Sequence, residues 1–365
     1  MSRKMSWDRT LFAAAILIVV VGLVMIYSAS AIIATQNAEP DPYHFVVRQG
    51  LFLLAGSILM LAAMHVDIQR LRDWKFVYGL LFLLSFALVA VLFQAPINGT
   101  HRWFSVGSFN LQPAEFAKPV VILFLAFYLA RREDRINDVA GGLLPLLGIL
   151  AMIAGLIMLQ PDFGTAAVIL AVAAILVFIA GLSWKHIAVL GAILLPAVTL
   201  VMLAADYRRD RLLSFINPEA DPLGKGFQAM QSLIALGTGG VTGLGIGNGR
   251  QKLFFLPEPH TDFIFSIIGE ELGFIGALAV LAAFGLLVWR GARIAWTSQD
   301  RFVFYAAMGL TLLFAVQVLV NVSVALCLLP TKGLPLPLIS YGGSSLLTSL
   351  IGVGLLLNLS QQTAR

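Results

Sequence analysis

The sequence is poor in charge and contains a single cysteine. Only 12% of its 365 residues are Asp, Glu, Lys or Arg, whereas 59% are hydrophobic. A soluble domain needs more charge than this to cover its surface, so lipid is the solvent for most of the chain. The lone Cys327 excludes an internal disulfide and argues against a site in which several thiolates bind a metal.

The excess of positive charge does not indicate a nucleic-acid-binding protein. The formal net charge is +5, but the Lys and Arg residues stand in short segments between apolar runs. That arrangement sets the orientation of membrane proteins, and it explains the charge without a nucleic acid. We therefore expect no nucleic acid among the partners.

Long apolar runs dominate the chain. A spanning helix needs about 20 apolar residues. The first run is longer than the apolar core of a signal peptide and many similar runs follow it, so we interpret it as an uncleaved first helix. The sequence predicts an all-α integral membrane protein with about ten transmembrane helices, at 11–33, 46–65, 76–94, 113–130, 141–159, 163–181, 184–204, 262–289, 303–328 and 337–360.

The basic residues predict which side each loop faces. An even number of helices puts both termini on one side of the membrane. If that side is the cytoplasm, fourteen of the 24 Lys and Arg residues are cytoplasmic, four lie in short outer segments and six lie in one long outer loop. Because basic residues are enriched in cytoplasmic loops, we predict that both termini are cytoplasmic.

The long outer loop is predicted at 206–261, within a single membrane domain that comprises residues 1–365. Its first part is polar and rich in turn-forming residues. Its second part has helix-like apolar spacing before a glycine-rich stretch, which suits a partly buried or re-entrant helix. The glycines superficially resemble a phosphate-binding loop, but no strand precedes them and the loop faces away from nucleotides.

Ionisable residues in or beside the spans cost about 2.5–3.5 kcal/mol at a helix centre, and for that reason they are functional candidates. The first cluster lies in 98–119, NGTHRWFSVGSFNLQPAEFAKP. Gln112, Glu115 and Lys118 are spaced three apart, so they share one face of the fourth predicted helix near its outer end. The alternative is a Glu–Lys pair that only holds helices together.

The second cluster, 256–273, has the sequence LPEPHTDFIFSIIGEELG. Thr261 is predicted to cap a long helix that begins at Asp262, whose carboxylate suits a general base for a sugar hydroxyl. The alternative is a carboxylate that only caps the helix. Glu270 and Glu271 lie two turns deeper, about 12 Å at 1.5 Å per residue, and we expect them to pair inside the bundle.

Two further clusters face outward. Prolines and glycines interrupt the apolar pattern of 329–345, LPTKGLPLPLISYGGSS, which is typical of a broken helix that lines a cavity. The segment 160–165, QPDFGT, is predicted to be a structural turn. The clusters contain no Ser-His-Asp set and no His-rich metal spacing. They combine carboxylates and cations beside an apolar bundle, which suits a substrate with a diphosphate head and a lipid tail.

Three of these segments, 98–119, 256–273 and 329–345, resemble in order and spacing the SEDS family, the bacterial shape, elongation, division and sporulation proteins. The resemblance extends from about residue 10 to residue 360. GRQK ahead of LPEPHTDF, together with PTKGLPLPLISYGGSS, resembles the division branch, FtsW, more than the elongation branch, RodA.

This resemblance implies a peptidoglycan glycosyltransferase that polymerises lipid II at the outer leaflet of the bacterial plasma membrane, at the division septum. It also implies a class B penicillin-binding protein (a transpeptidase) and other division membrane proteins as partners, beside membrane lipid. A divalent cation, Mg²⁺ or Mn²⁺, is implicated for some members, although this sequence has no dedicated ligand set.

The family's functional residues can be assigned to positions of this sequence. The essential aspartate falls on Asp262, the catalytic candidate, and the functional Glu and Lys fall on Glu115 and Lys118. Further substrate-binding candidates are three cations that would balance diphosphate charge and the histidine two residues before the aspartate, namely Arg102, Arg250, Lys332 and His260.

Two other functions stay open at this point. A lipid II flippase predicts polar residues near the membrane midplane and a cavity open to both faces, whereas the polar clusters here concentrate on the outer side. A non-catalytic division scaffold predicts that replacement of Asp262 leaves glycan synthesis unchanged.

Overall fold

The computed structural model describes residues 7–35, 41–97, 99–107, 109–203, 215, 226–253, 256, 259–330 and 333–363. Its α-helices in these residues are α1 (Arg9–Ala34), α2 (His44–His65), α3 (Ile68–Leu71), α4 (Trp74–Ala90), α5 (Pro113–Arg132), α6 (Leu144–Leu159), α7 (Phe163–Ile179), α8 (Trp184–Leu203), α9 (Phe227–Gly239), α10 (Ile264–Thr297), α11 (Arg301–Ala325) and α12 (Gly343–Thr363). A small antiparallel hairpin, β1 (Phe104–Val106) and β2 (Phe109–Leu111), precedes α5.

Ten of these helices match the predicted spans. In the described residues eight helical segments are long and apolar enough to cross a membrane, and they contain α1, α2, α4, α5, α6, α10, α11 and α12. The two other apolar helices, α7 and α8, coincide with the sixth and seventh predicted spans. The prediction of an all-α membrane protein with about ten transmembrane helices is confirmed.

Helices α5 and α12 lie at the centre of the bundle. In their most apolar stretches 83% and 89% of residues are buried, against 17% in α2. Both helices carry buried polar side chains, including Glu115 and Lys118 on α5 and Ser344 and Thr348 on α12. Lipid cannot form hydrogen bonds, so polar groups collect on the helices that protein surrounds.

The segment before α12 is irregular. The last span was predicted to begin at 337, but α12 begins at Gly343. Pro335 and Pro337 have no backbone N–H to donate, and they disfavour helical backbone in the residues before them. The apolar segment around them is therefore not helical. The predicted interruption of the helix in this cluster is present.

The helix expected in the second part of the long loop is α9. It lies beside the first half of α10, where Ser232 Oγ and Ser266 Oγ are 2.6 Å apart. Further along, Gly239 packs directly against the backbone of Gly269. The first part of the predicted loop, apart from Phe215, lies outside the described residues.

A glycine-rich stretch after α9 fills a break in α10. The backbone leaves the helix at Gly273, with φ 67° and ψ −170°, a conformation that is essentially confined to glycine. Four hydrogen bonds of 2.9 to 3.2 Å replace the lost helical ones: Leu244 N to Glu270 O, Gly245 N to Glu271 O, Phe274 N to Gly240 O and Ile275 N to Val241 O. Since lipid offers no partners, a broken spanning helix needs such a substitute.

Candidate active site

Asp262 lies half-buried in the turn that precedes α10. The helix begins at Ile264, and its N-cap, Phe263, makes no side-chain hydrogen bond, so the prediction that Thr261 caps a helix beginning at Asp262 is wrong. The carboxylate faces Gly333, where an added Cβ would lie 3.1 Å from Asp262 Oδ2. The lack of a side chain at Gly333 therefore leaves room beside the carboxylate.

Two side chains fix this turn against the segment before α12. Asn321 Nδ2 donates to Asp262 O at 2.9 Å and to Leu334 O at 2.8 Å. Ser340 Oγ donates to Thr261 O at 2.6 Å. These bonds satisfy carbonyls that irregular backbone would otherwise leave without partners, and they hold Asp262 in one position relative to the segment before α12.

His260 is packed in an aromatic cluster. Its ring centroid lies 4.6 Å from that of Phe45 and 5.4 Å from that of Tyr341, and the residue is 5% exposed. Burial lowers the pKa of His260 to about 4, because a poorly solvated site disfavours the imidazolium ion. The imidazole is neutral at pH 7, so His260 brings no positive charge to a diphosphate.

Glu115 and Lys118 form a buried ion pair at the start of α5. Lys118 Nζ lies 2.8 Å from Glu115 Oε2, and the lysine and glutamate side chains are 2% and 5% exposed. Thr348 Oγ1, on α12, lies 3.4 Å from the same glutamate oxygen. The alternative of a pair that joins helices fits these contacts, and a role in which Glu115 orients Lys118 fits them as well.

Residues 333–348 connect the two groups. Gly333, at one end of this segment, borders the Asp262 carboxylate. Thr348, at the other end, contacts Glu115. Asp262 and the α5 ion pair therefore share this segment as a common neighbour, although they lie far apart in sequence.

Arg102 supports the turn between α6 and α7. Its Nε donates to Gln160 O at 2.7 Å, and its Nη2 donates to Pro161 O. In the same turn Asp162 caps α7 with its side chain and accepts a hydrogen bond from Gln112 Nε2 at 2.8 Å. The predicted structural turn is confirmed, and Arg102 uses two of its donor groups there.

In the part of the chain that the structure describes, neither of two other predicted cations, Arg250 and Lys332, is placed beside Asp262. The Arg250 backbone N–H donates to Glu270 Oε1 at 2.7 Å, and its side chain is exposed. Glu270 lies two helical turns beyond Asp262, so the backbone of Arg250 contacts α10 at a point about 12 Å from Asp262 along the helix axis. Lys332 lies outside the described residues.

A second buried ion pair, between Lys252 and Glu271, lies at the break in α10. Lys252 Nζ is 2.7 Å from Glu271 Oε1 and 3.0 Å from Ser28 Oγ on α1. Gly247 N also donates to Glu271, at 3.0 Å. The prediction that the two glutamates pair inside the bundle is confirmed for Glu271, whereas Glu270 is buried and accepts hydrogen bonds from the backbone N–H groups of Arg250 and Gln251. Lys252 was missed as a partner because it belongs to a loop whose path the sequence does not reveal.

The described residues do not by themselves suit a divalent cation. No group of three or more His, Cys, Asp or Glu side chains among them is arranged to hold a metal ion. At Glu115 the ammonium group of Lys118 already neutralises the carboxylate, and a hard cation needs several oxygen ligands. We assign no step to a metal.

Residues 8–365 match the FtsW/RodA/SpoVE family of cell cycle proteins. The chain belongs to this family. The resemblance of segments 98–119, 256–273 and 329–345 to SEDS proteins is thereby confirmed, and the match extends over nearly the whole chain.

Curated members of the family are similar along their full lengths. The chain is 43% identical over 361 residues to a probable peptidoglycan glycosyltransferase FtsW of Trichlorobacter lovleyi, covering 98% of this chain and 94% of that protein. It is 42% identical over 364 residues to the stage V sporulation protein E of Bacillus subtilis, covering 99% and 98%.

Solved structures share the fold. A chain of a peptidoglycan synthase complex, studied for its coordination of polymerization and crosslinking, has a TM-score of 0.78 and 33% identity, with 97% of each chain covered. The rod shape determining protein RodA of Thermus thermophilus has a TM-score of 0.72 and 31% identity, with 98% of each chain covered.

Proposed function

We propose that this family member is a peptidoglycan glycosyltransferase that polymerises lipid II. The observation that carries the proposal is the shared contact of Asp262 and of the Glu115–Lys118 pair with residues 333–348. This segment contacts both a half-buried carboxylate and a buried ion pair that contains a cation, in a bundle whose outer surface faces lipid. The names of the curated relatives support the same activity.

In this reaction the 4-hydroxyl of one sugar attacks C1 of another. Asp262 accepts the hydroxyl proton while the oxygen forms a bond to C1. The bond between C1 and the diphosphate oxygen breaks, and the lipid diphosphate leaves with the electron pair. Because a diphosphate is a good leaving group, no second carboxylate is needed as an acid, unlike in a glycosidase.

The surroundings of Asp262 suit a base of this kind. Asn321 holds its backbone oxygen and Gly333 leaves space beside its carboxylate. A rigid backbone keeps the base in reach of the hydroxyl without a reorganisation cost. Lys118, oriented by Glu115, is the proposed electrostatic partner of the substrate, together with Arg102, Arg250 and Lys332.

The decisive experiment is incubation of the purified protein with lipid II, with and without its transpeptidase. Asp262→Asn should lower glycan synthesis by about 100-fold or more, the usual contribution of a general base, and should leave the unfolding temperature unchanged. Asp134→Asn is the matched control, since the Asp134 side chain is 86% exposed. Near-normal polymer from Asp262→Asn would refute the assignment of Asp262 as the base, whereas a wild-type protein that makes no polymer would favour a scaffold.

The partner, the location and the domain organisation follow as parts of the proposal. A class B penicillin-binding protein is the proposed partner, because a structural relative belongs to a peptidoglycan synthase complex. Other division proteins, a septal location, cytoplasmic termini and one membrane domain over 1–365 complete it. If the protein is instead a flippase, it should move lipid II across the membrane of a vesicle without forming polymer.

A further inference from the structure

The charge of the candidate site leaves a diphosphate incompletely balanced. Lys118 is neutralised by Glu115 at 2.8 Å, and Asp262 adds a negative charge. Arg102 directs two donor groups to backbone carbonyls. A diphosphate carries at least two negative charges, so a further cation would help to stabilise it, beside the proposed Arg250 and Lys332.

Arg48 on α2 meets this need. Its side chain is half-buried, and the guanidinium carbon lies 5.8 Å from the centre of the Phe109 ring. The guanidinium also lies near the hydroxyl of Tyr341, whose pKa it acts to lower. Among the described residues no carboxylate forms an ion pair with Arg48. Its charge is therefore not cancelled by a carboxylate in the part of the chain that the structure describes.

The neighbouring residues of α2 fix where Arg48 stands. Gln49 Nε2 donates to Ser340 O, and Gln49 Oε1 accepts from Gly342 N, both at 3.3 Å. One turn further along, Phe52 packs directly against Gly343. These contacts hold the outer turns of α2 against the segment that also borders Asp262 and contacts Glu115.

We propose that Arg48 and Tyr341 bind the diphosphate of the polyprenyl-linked substrate. The inference deepens the proposed function and rests on it. A guanidinium offers five N–H donors in a planar fork that matches phosphate oxygens, and the phenol of Tyr341 offers one O–H donor.

Tyr341 stays protonated in this arrangement. Burial raises the pKa of its hydroxyl, and Arg48 opposes that effect only in part. A protonated phenol donates to an anion, whereas a phenolate would repel it. The pair therefore presents donors alone to the substrate.

The test measures binding to the purified full-length protein of two probes that differ only in charge, a polyprenyl diphosphate and the polyprenol of equal length. Arg48→Gln should weaken diphosphate binding about 10-fold or more and leave polyprenol binding unchanged, because it removes a charge-assisted contact. Arg48→Lys should recover part of the loss, and Tyr341→Phe should weaken diphosphate binding about threefold. Arg70→Gln, an exposed arginine outside the site, is the control.

The outcomes separate this inference from the proposed function. Equal diphosphate affinity of wild-type protein and Arg48→Gln would overturn the role of Arg48, whatever the polymerase activity is. Arg48-dependent binding in a protein that makes no polymer would support the site and refute the glycosyltransferase. If Arg48→Gln unfolds, Arg48→Lys and Tyr341→Phe decide. Wild-type diphosphate affinity in both variants would then contradict the proposal.

Discussion

Removal of the Lys252 charge should destabilise the fold at the break in α10. Lys252 Nζ lies 2.7 Å from Glu271 Oε1, and the two side chains are 3% and 0% exposed. Lys252→Met keeps the length of the side chain but leaves the Glu271 carboxylate in a buried site without its cation. Loss of one partner of a buried pair costs about 3–5 kcal/mol.

The remaining contacts of Glu271 place the expected loss near the lower end, about 3 kcal/mol. Ser28 Oγ lies 2.6 Å from Glu271 Oε2, and Gly247 N lies 3.0 Å from the same oxygen, so the carboxylate keeps hydrogen bonds. The double variant Lys252→Met/Glu271→Gln buries no charge. It should recover about 2 kcal/mol of the loss, because replacement of both members of a buried pair is often nearly neutral.

The assay is denaturant unfolding in detergent, compared across the wild-type protein, both single variants and the double variant. Lys75→Met, at an exposed lysine, is the control and should stay within about 0.5 kcal/mol of wild type. The reasoning fails if the effects of the two single changes simply add, because a buried pair requires a coupling energy between them.

Two further predictions concern the backbone break and the buried histidine. Gly273→Ala should lower the free energy of unfolding by about 3 kcal/mol or more, because Gly273 has φ 67° and a Cβ would overlap the Gly243 nitrogen. The control is Gly285→Ala, which has open space in the same helix and should be neutral or stabilising. Equal unfolding free energies of the two variants would refute this explanation. His260 has a pKa near 4, so stability should fall by about 2 kcal/mol between pH 7.5 and 5 as the unfolded chain takes up protons first. His260→Gln should remove that part of the pH dependence, whereas His101→Gln, at an exposed histidine, should retain it.

The spanning helices could be predicted because their signal is local. An apolar run of sufficient length partitions into lipid whatever the rest of the chain does, and the ten predicted runs all coincide with helices. The break at Gly273 could not be read from such a run. A single glycine is tolerated inside a helix, and this one ends regular geometry because a glycine-rich stretch from an earlier loop supplies replacement hydrogen bonds.

The turn at Asp262 illustrates a similar limit. A Thr-Asp pair before an apolar run is a common helix start, yet α10 begins at Ile264. The turn is held instead by Asn321 and Ser340, which belong to elements later in the chain. Local propensity could not anticipate hydrogen bonds that come from another helix.

The sequence by itself determined which residues enter the membrane and which segments between the helices hold charge, because hydrophobicity and insertion cost add up along the chain. Only the tertiary structure decided the partners that are distant in sequence: Thr348 for Glu115, Lys252 for Glu271, and backbone carbonyls for Arg102. The physical reason is the short distance over which these contacts form. A hydrogen bond needs its two atoms within about 3 Å and an ion pair needs them within about 4 Å, so these contacts depend on how distant segments pack, which no local pattern of residues encodes.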